Sequence, residues 1–178
     1  LVYRARRDAE KRAEDVARVR ANPKYIFEMP QNMVNYEILC AAFDSGKEQD
    51  DPTTNRGDAE LFKRIYDTFP KLVDENFCKI AVSAPTKKKF VRYEYWSEPW
   101  GTERYSLYEE LDPILKYVPE KLRTFAVCSA AVVANFKSLE FVPVKILIEH
   151  PDLCTAETFK YKSTEIWGIV KKMPAELL

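Results

Sequence analysis

The chain has 178 residues, 46% of them apolar and 13% aromatic, which suits one folded domain with a buried core and argues against a disordered segment. Lysine plus arginine equals aspartate plus glutamate at 28 each, so no net field recruits nucleic acid or an anionic membrane. Four scattered glycines (Gly46, Gly57, Gly101, Gly168) argue against a glycine-rich phosphate cradle, and no apolar run reaches the ~18 residues that a membrane span requires.

Residues 1–24 read as a charged N-terminal helix, without the apolar middle of a signal peptide. Val2, Ala5, Ala9, Ala13 and Val16 fall at helical spacings and form a thin stripe of mostly small side chains, suited to docking on the rest of the chain or on a partner. The opening Leu1 reads as the start of a processed protein or of a fragment of a longer one.

From residue 25 onward one phrase recurs: apolar-x-x-apolar-Pro-x-x-apolar. It centres on Pro30 (Ile26, Met29, Met33), Pro70 (Tyr66, Phe69, Val73), Pro119 (Leu115, Val118, Leu122), Pro143 (Leu139, Val142, Ile146) and Pro174 (Val170, Met173, Leu177). The first four copies are each followed by an apolar-Cys pair: Leu39-Cys40, Phe77-Cys78, Val127-Cys128 and Leu153-Cys154. Self-similarity of this kind is the signature of a repeat architecture. Proline breaks a helix interior but suits its first turn. Each copy is therefore expected to hold a short helix, a proline-started turn and a longer helix carrying the cysteine. Thr124 is positioned to cap such a helix over Phe125 to Phe136.

The expected fold is mainly α, an irregular, solenoid-like helical-repeat stack over 25–178. Its copies lie near 26–43, 66–82, 115–136 and 139–160, with a partial copy at 166–178. Two insertions interrupt it. Residues 44–60 form an acidic surface loop, after which Leu61, Ile65 and Tyr66 mark one side of a helix. Within the second insertion, residues 84–108, Phe90 to Trp96 alternate aromatic and β-branched side chains before a Ser97–Gly101 turn cluster, which predicts a β-hairpin near 90–108.

The run Tyr117-Val118-Pro119-Glu120-Lys121-Leu122-Arg123-Thr124, then Val127-Cys128-Ser129-Ala130-Ala131 and Leu139-Glu140-Phe141-Val142-Pro143, resembles the unit of a tandem helical-repeat family of unassigned function. That family is met in bacterial proteins, including secreted effectors of intracellular pathogens, and in protist and giant-virus proteins. The similarity covers about residues 114–146 and fades outward. Pro30 keeps Cys40-Ala41-Ala42, Pro70 keeps Phe69 and Cys78-x-x-Ala81, and the Pro143 copy has Glu157 where the family favours alanine. The resemblance implies stacked helical pairs and brings no catalytic residues with it.

Chemistry is sparse. Cys40, Cys78, Cys128 and Cys154 lack the paired close spacing of a zinc site, and His150 is the single histidine. Their apolar context reads as compact core filler, kept reduced in a cytoplasm-like compartment (a host cell, if the chain is an effector fragment). A Cys–His150 nucleophile and a disulfide are the rivals to that reading. Glu48, Asp50, Asp51, Glu109 and Glu110 bracket no bond at a defensible spacing, and neither cofactor nor metal is expected. The functional candidate with physical content is the insertion. Lys87, Lys88, Lys89, Arg92 and Arg104 interleave there with Tyr93, Tyr95, Trp96 and Trp100, a set able to form a protein contact or to stack bases. The expected function is a non-catalytic interaction or scaffolding module of a larger protein or assembly. A nucleic-acid-binding module using 87–105 and an enzyme with an unrecognised site are the alternatives.

Overall fold

A computed structural model describes residues 2–44, 58–84, 88–98, 101–110 and 112–154, and these are mainly helical. The expected partial copy at 166–178, the Pro174 phrase, Glu157 and most of the acidic insertion lie outside the described residues. Helix α1 (Val2–Ala21) is followed by a 3₁₀ turn at Pro23–Phe27, a second at Gln31–Met33 and helix α2 (Tyr36–Ala41). Helices α3 (Ala59–Thr68) and α4 (Glu75–Ser83) come next. Strands β1 (Lys88–Glu98) and β2 (Gly101–Glu110) pair antiparallel, with one bulge between Phe90 and Arg92. The chain then forms 3₁₀ turns at Ile114–Tyr117 and Glu120–Leu122, helix α5 (Phe125–Ala134), a 3₁₀ stretch at Phe136–Phe141, helix α6 (Val144–Glu149) and a 3₁₀ turn at Pro151–Cys154.

Local chemistry sets these boundaries. Polar side chains accept the free N–H groups at the starts of α2, α3, α4 and α5: Asn35 from Ile38, Asp58 from Glu60 and Leu61, Asp74 from Phe77, and Thr124 from Val127. Pro30, Pro119 and Pro143 sit at the cap position, just outside the first turn, where the missing N–H costs nothing. Their carbonyls accept from Met33, Leu122 and Ile146, each at 2.9 Å. Pro70 differs. It lies in the turn between α3 and α4 that the Leu72 N–H to Phe69 carbonyl bond closes.

The core is contiguous. Phe43, Phe62 and Phe77 meet at ring separations of 5.6–6.3 Å and tie α2, α3 and α4 together. The residue before each described phrase proline (Met29, Phe69, Val118, Val142) is buried, and so is the residue before each cysteine (Leu39, Phe77, Val127, Leu153). Helix α4 packs on α5, where the Thr124 hydroxyl donates to Glu75 Oε1 at 2.7 Å and sets the two helix starts side by side.

Within the small-residue stripe of α1, Ala9 and Ala13 lie in a stretch, residues 6–14, exposed without a break, while Val16 is buried. Alanines bury too little area to hold a helix down, and among the described residues Asp15, Val16 and Val19 are the part of α1 that is buried. In α3, Leu61 and Ile65 are buried and the half-buried Tyr66 packs against the core on the side that the spacing marks, with Phe62 buried as well. Cys154 lies in the 3₁₀ turn Pro151–Cys154, after α6 ends at Glu149, and the residues that follow it lie outside the described ones.

Candidate interaction surface

The basic-aromatic set predicted for partner contact falls mostly on the two strands. Lys87 and Trp100 lie outside the described residues. The register places Lys88 opposite Glu110, Lys89 opposite Glu109, Arg92 opposite Leu107, Tyr93 opposite Ser106, Tyr95 opposite Arg104 and Trp96 opposite Glu103. Glu109 and Glu110, considered as an acid pair, instead sit across from the two lysines.

The thiols form two classes. Cys78 and Cys128 are both 0% exposed, whereas Cys40 and Cys154 are half-buried, and all four are free. Burial pushes Cys78 up to about 12 and Cys128 up to about 11. It raises Cys40 and Cys154 as well. Asp74 adds to the shift at Cys78 and Cys40, and Asp152 adds to it at Cys154. A nucleophilic thiol needs the opposite treatment, a cation or helix terminus that favours thiolate. Arg123 works in that direction at Cys128 and is outweighed by burial. The His150 ring instead stacks on Phe125, with centroids 3.9 Å apart and planes 25° from parallel.

The packing does leave apolar side chains of α5 and α6 in solvent. On α6, Val144 and Ile148 are four residues apart and share a helix face, at 50% and 54% exposure. Phe125 at the start of α5 is partly exposed, and its stack with His150 brings it against the end of α6. Val133, near the end of α5, is 86% exposed. Sequence reasoning found no signal for this face, because Val144 and Ile148 fit the apolar spacing of a buried helix as well as that of an exposed one.

Arg123 was also missed. Its guanidinium donates to the carbonyls of Val118 (2.8 Å), Phe141 (3.0 Å) and Lys116 (3.2 Å), joining the turns on either side of α5. Five donors in a rigid fork suit this three-way bond to backbone.

Among the described residues no group of three or more His, Cys, Asp or Glu could hold a metal ion, and no helix is long and apolar enough to cross a membrane. Comparison with protein-family models, with curated proteins and with solved structures found no match.

Proposed function

We propose that this chain is a non-catalytic protein-interaction module, a solenoid-like stack of proline-anchored helical units that works within a larger protein or assembly. The observation that carries the reading is the exposed pair Val144 and Ile148, which share one face of α6. An apolar helix face left in water is the ordinary mark of a protein contact. The recurring burial of the residues before proline and before cysteine supports the repeat reading, with the strands as an insertion between the second and third units. Four free thiols, all raised by burial, suit a reducing compartment and a packing role. The nucleic-acid reading has less behind it, since the register sets Lys88 and Lys89 across from Glu110 and Glu109.

The test is site-specific photo-crosslinking in the native source, with the reactive group at position 148 of the full chain and a control at exposed Lys79. Position 148 is expected to capture one defined protein that Lys79 does not. Val144→Lys should abolish the capture with an unchanged circular dichroism spectrum. Equal or absent capture at the two positions would remove the proposal.

A further inference from the structure

Helices α4 and α5 follow one plan. Their caps, Asp74 and Thr124, and their cysteines, Cys78 and Cys128, take equivalent places. Their buried positions coincide as well: Phe77, Cys78, Ala81 and Val82 in one, Val127, Cys128, Ala131 and Val132 in the other. The outward faces differ. On α4 that face is polar, with Glu75, Asn76, Lys79 and Ser83 exposed. The same positions on α5 hold Phe125, Ala126, Ser129 and Val133. Phe125 and Val133 are exposed, and Ala126 and Ser129 are half-buried. No residue of α5 carries a charge. A helix that is apolar all round is ordinarily covered on every side. Water against the outer face of α5 is therefore a cost that a second contact removes.

Three features of this face suit a second copy of the same chain. A two-fold axis brings side chains near their own duplicates, so a charged face repels itself and an uncharged one does not. Phe125, Ser129 and Val133 lie four residues apart on one ridge, large at both ends and small in the middle. Turned end for end, this ridge sets Phe125 of each copy against Val133 of the other, with the two Ser129 side chains at the axis. The contact also continues packing already present. Helix α2 packs on α4 and α4 on α5, and the pairing extends that row through α5, α4 and α2 of the second copy.

We propose that the outer face of α5 pairs antiparallel with α5 of a second copy, across a two-fold axis at Ser129. The contact is isologous and closes on itself. It uses α5 and not the α6 pair that carries the interaction reading, so either can fail without the other.

The experiment is sedimentation velocity of the full chain across a concentration series, with circular dichroism as a check on folding. A monomer–dimer equilibrium is expected. Val133→Asp, at an exposed position, should weaken it roughly tenfold or more, since it sets a carboxylate against Phe125 twice per dimer. Ser83→Asp, the equivalent change on α4, should leave it unaltered. A disulfide between identical positions forms only where a two-fold axis passes close by. Ser129→Cys treated with diamide should therefore give a covalent dimer that the parent chain does not, and adding Val133→Asp should abolish it. A monomer at every concentration would overturn the pairing, whether residues 155–178, a different protein or water alone meets this face. A dimer indifferent to Val133→Asp, open-ended polymers, or no cross-link at position 129 would overturn it equally.

Discussion

Cys78 and Cys128 show what a thiol contributes when water is excluded from it. Each occupies the fourth position after the helix cap, Asp74 or Thr124, and is completely buried. Sulfur there fills space as a small hydrophobe does. Burial holds both groups protonated, at about 12 and about 11 against an ordinary value of 9.0. The unfolded chain therefore releases these protons at lower pH than the folded one. Stability from this source is fully present below about pH 9 and is lost as pH rises towards the folded values. The urea midpoint should consequently fall between about pH 9 and about pH 11, and fall less steeply in a Cys78→Ala, Cys128→Ala double variant. Lysines and tyrosines titrate in the same window, so the difference between the two slopes is the measurement. Equal slopes would mean that the thiols are not held neutral by the core.

The two classes of cysteine follow from where each helix begins. Counting from the cap, Cys78 and Cys128 share a position that Leu39 takes on α2, because Asn35 stands five residues before Cys40 rather than four. One residue turns a helix by about 100°, enough to move a side chain from the core towards its margin. Leu39 is accordingly at 0% exposure and Cys40 is half-buried. Leu39→Ala should cost about 2–5 kcal/mol in urea unfolding, as large-to-small core changes do. Cys40→Ala should cost under about 1 kcal/mol, as at less buried sites. The reverse order would show that the cysteine marks the inward position on α2. This difference was hidden in the sequence because the recurring apolar-Cys pair looks the same in every copy. The cap carries the phase. Thr124 was legible as a cap, since a hydroxyl directly precedes an apolar run. Asn35 and Asp74 offer the same signal and were passed over. At Cys154 the local signal is Pro151, which opens the turn that carries it.

On the scale of the whole molecule, bonds between units decide what is held and what is free, and these were the least legible. The helical character followed from proline spacing and apolar periodicity. The three carbonyls gathered by Arg123 lie up to eighteen residues away along the chain, and no local pattern announces them. Helix α1 illustrates the converse. Its composition favours helix, so its existence could be read, but its attachment could not. Residues 6–14 are exposed, and the described ion pairs among them, Arg6 with Glu10 and Glu14 with Arg18, are solvated contacts between neighbouring turns. Such pairs contribute little, because solvent screens them. The attachment lies further on, where Val16 and Val19 enter the core, Arg18 donates to the Tyr25 hydroxyl and Arg20 pairs with Asp44. Removing residues 2–13 should therefore leave the thermal unfolding of the remainder within about 2–4 °C, the shift expected for a change near 1 kcal/mol in a domain of this size. Val19→Ala in the full chain should lower it further than that whole deletion does, because a fully buried valine loses both its transfer energy and the space it filled. Differential scanning calorimetry compares the two directly. If the deletion is the more damaging, the N-terminal part of α1 is held by contacts that its exposure does not reveal.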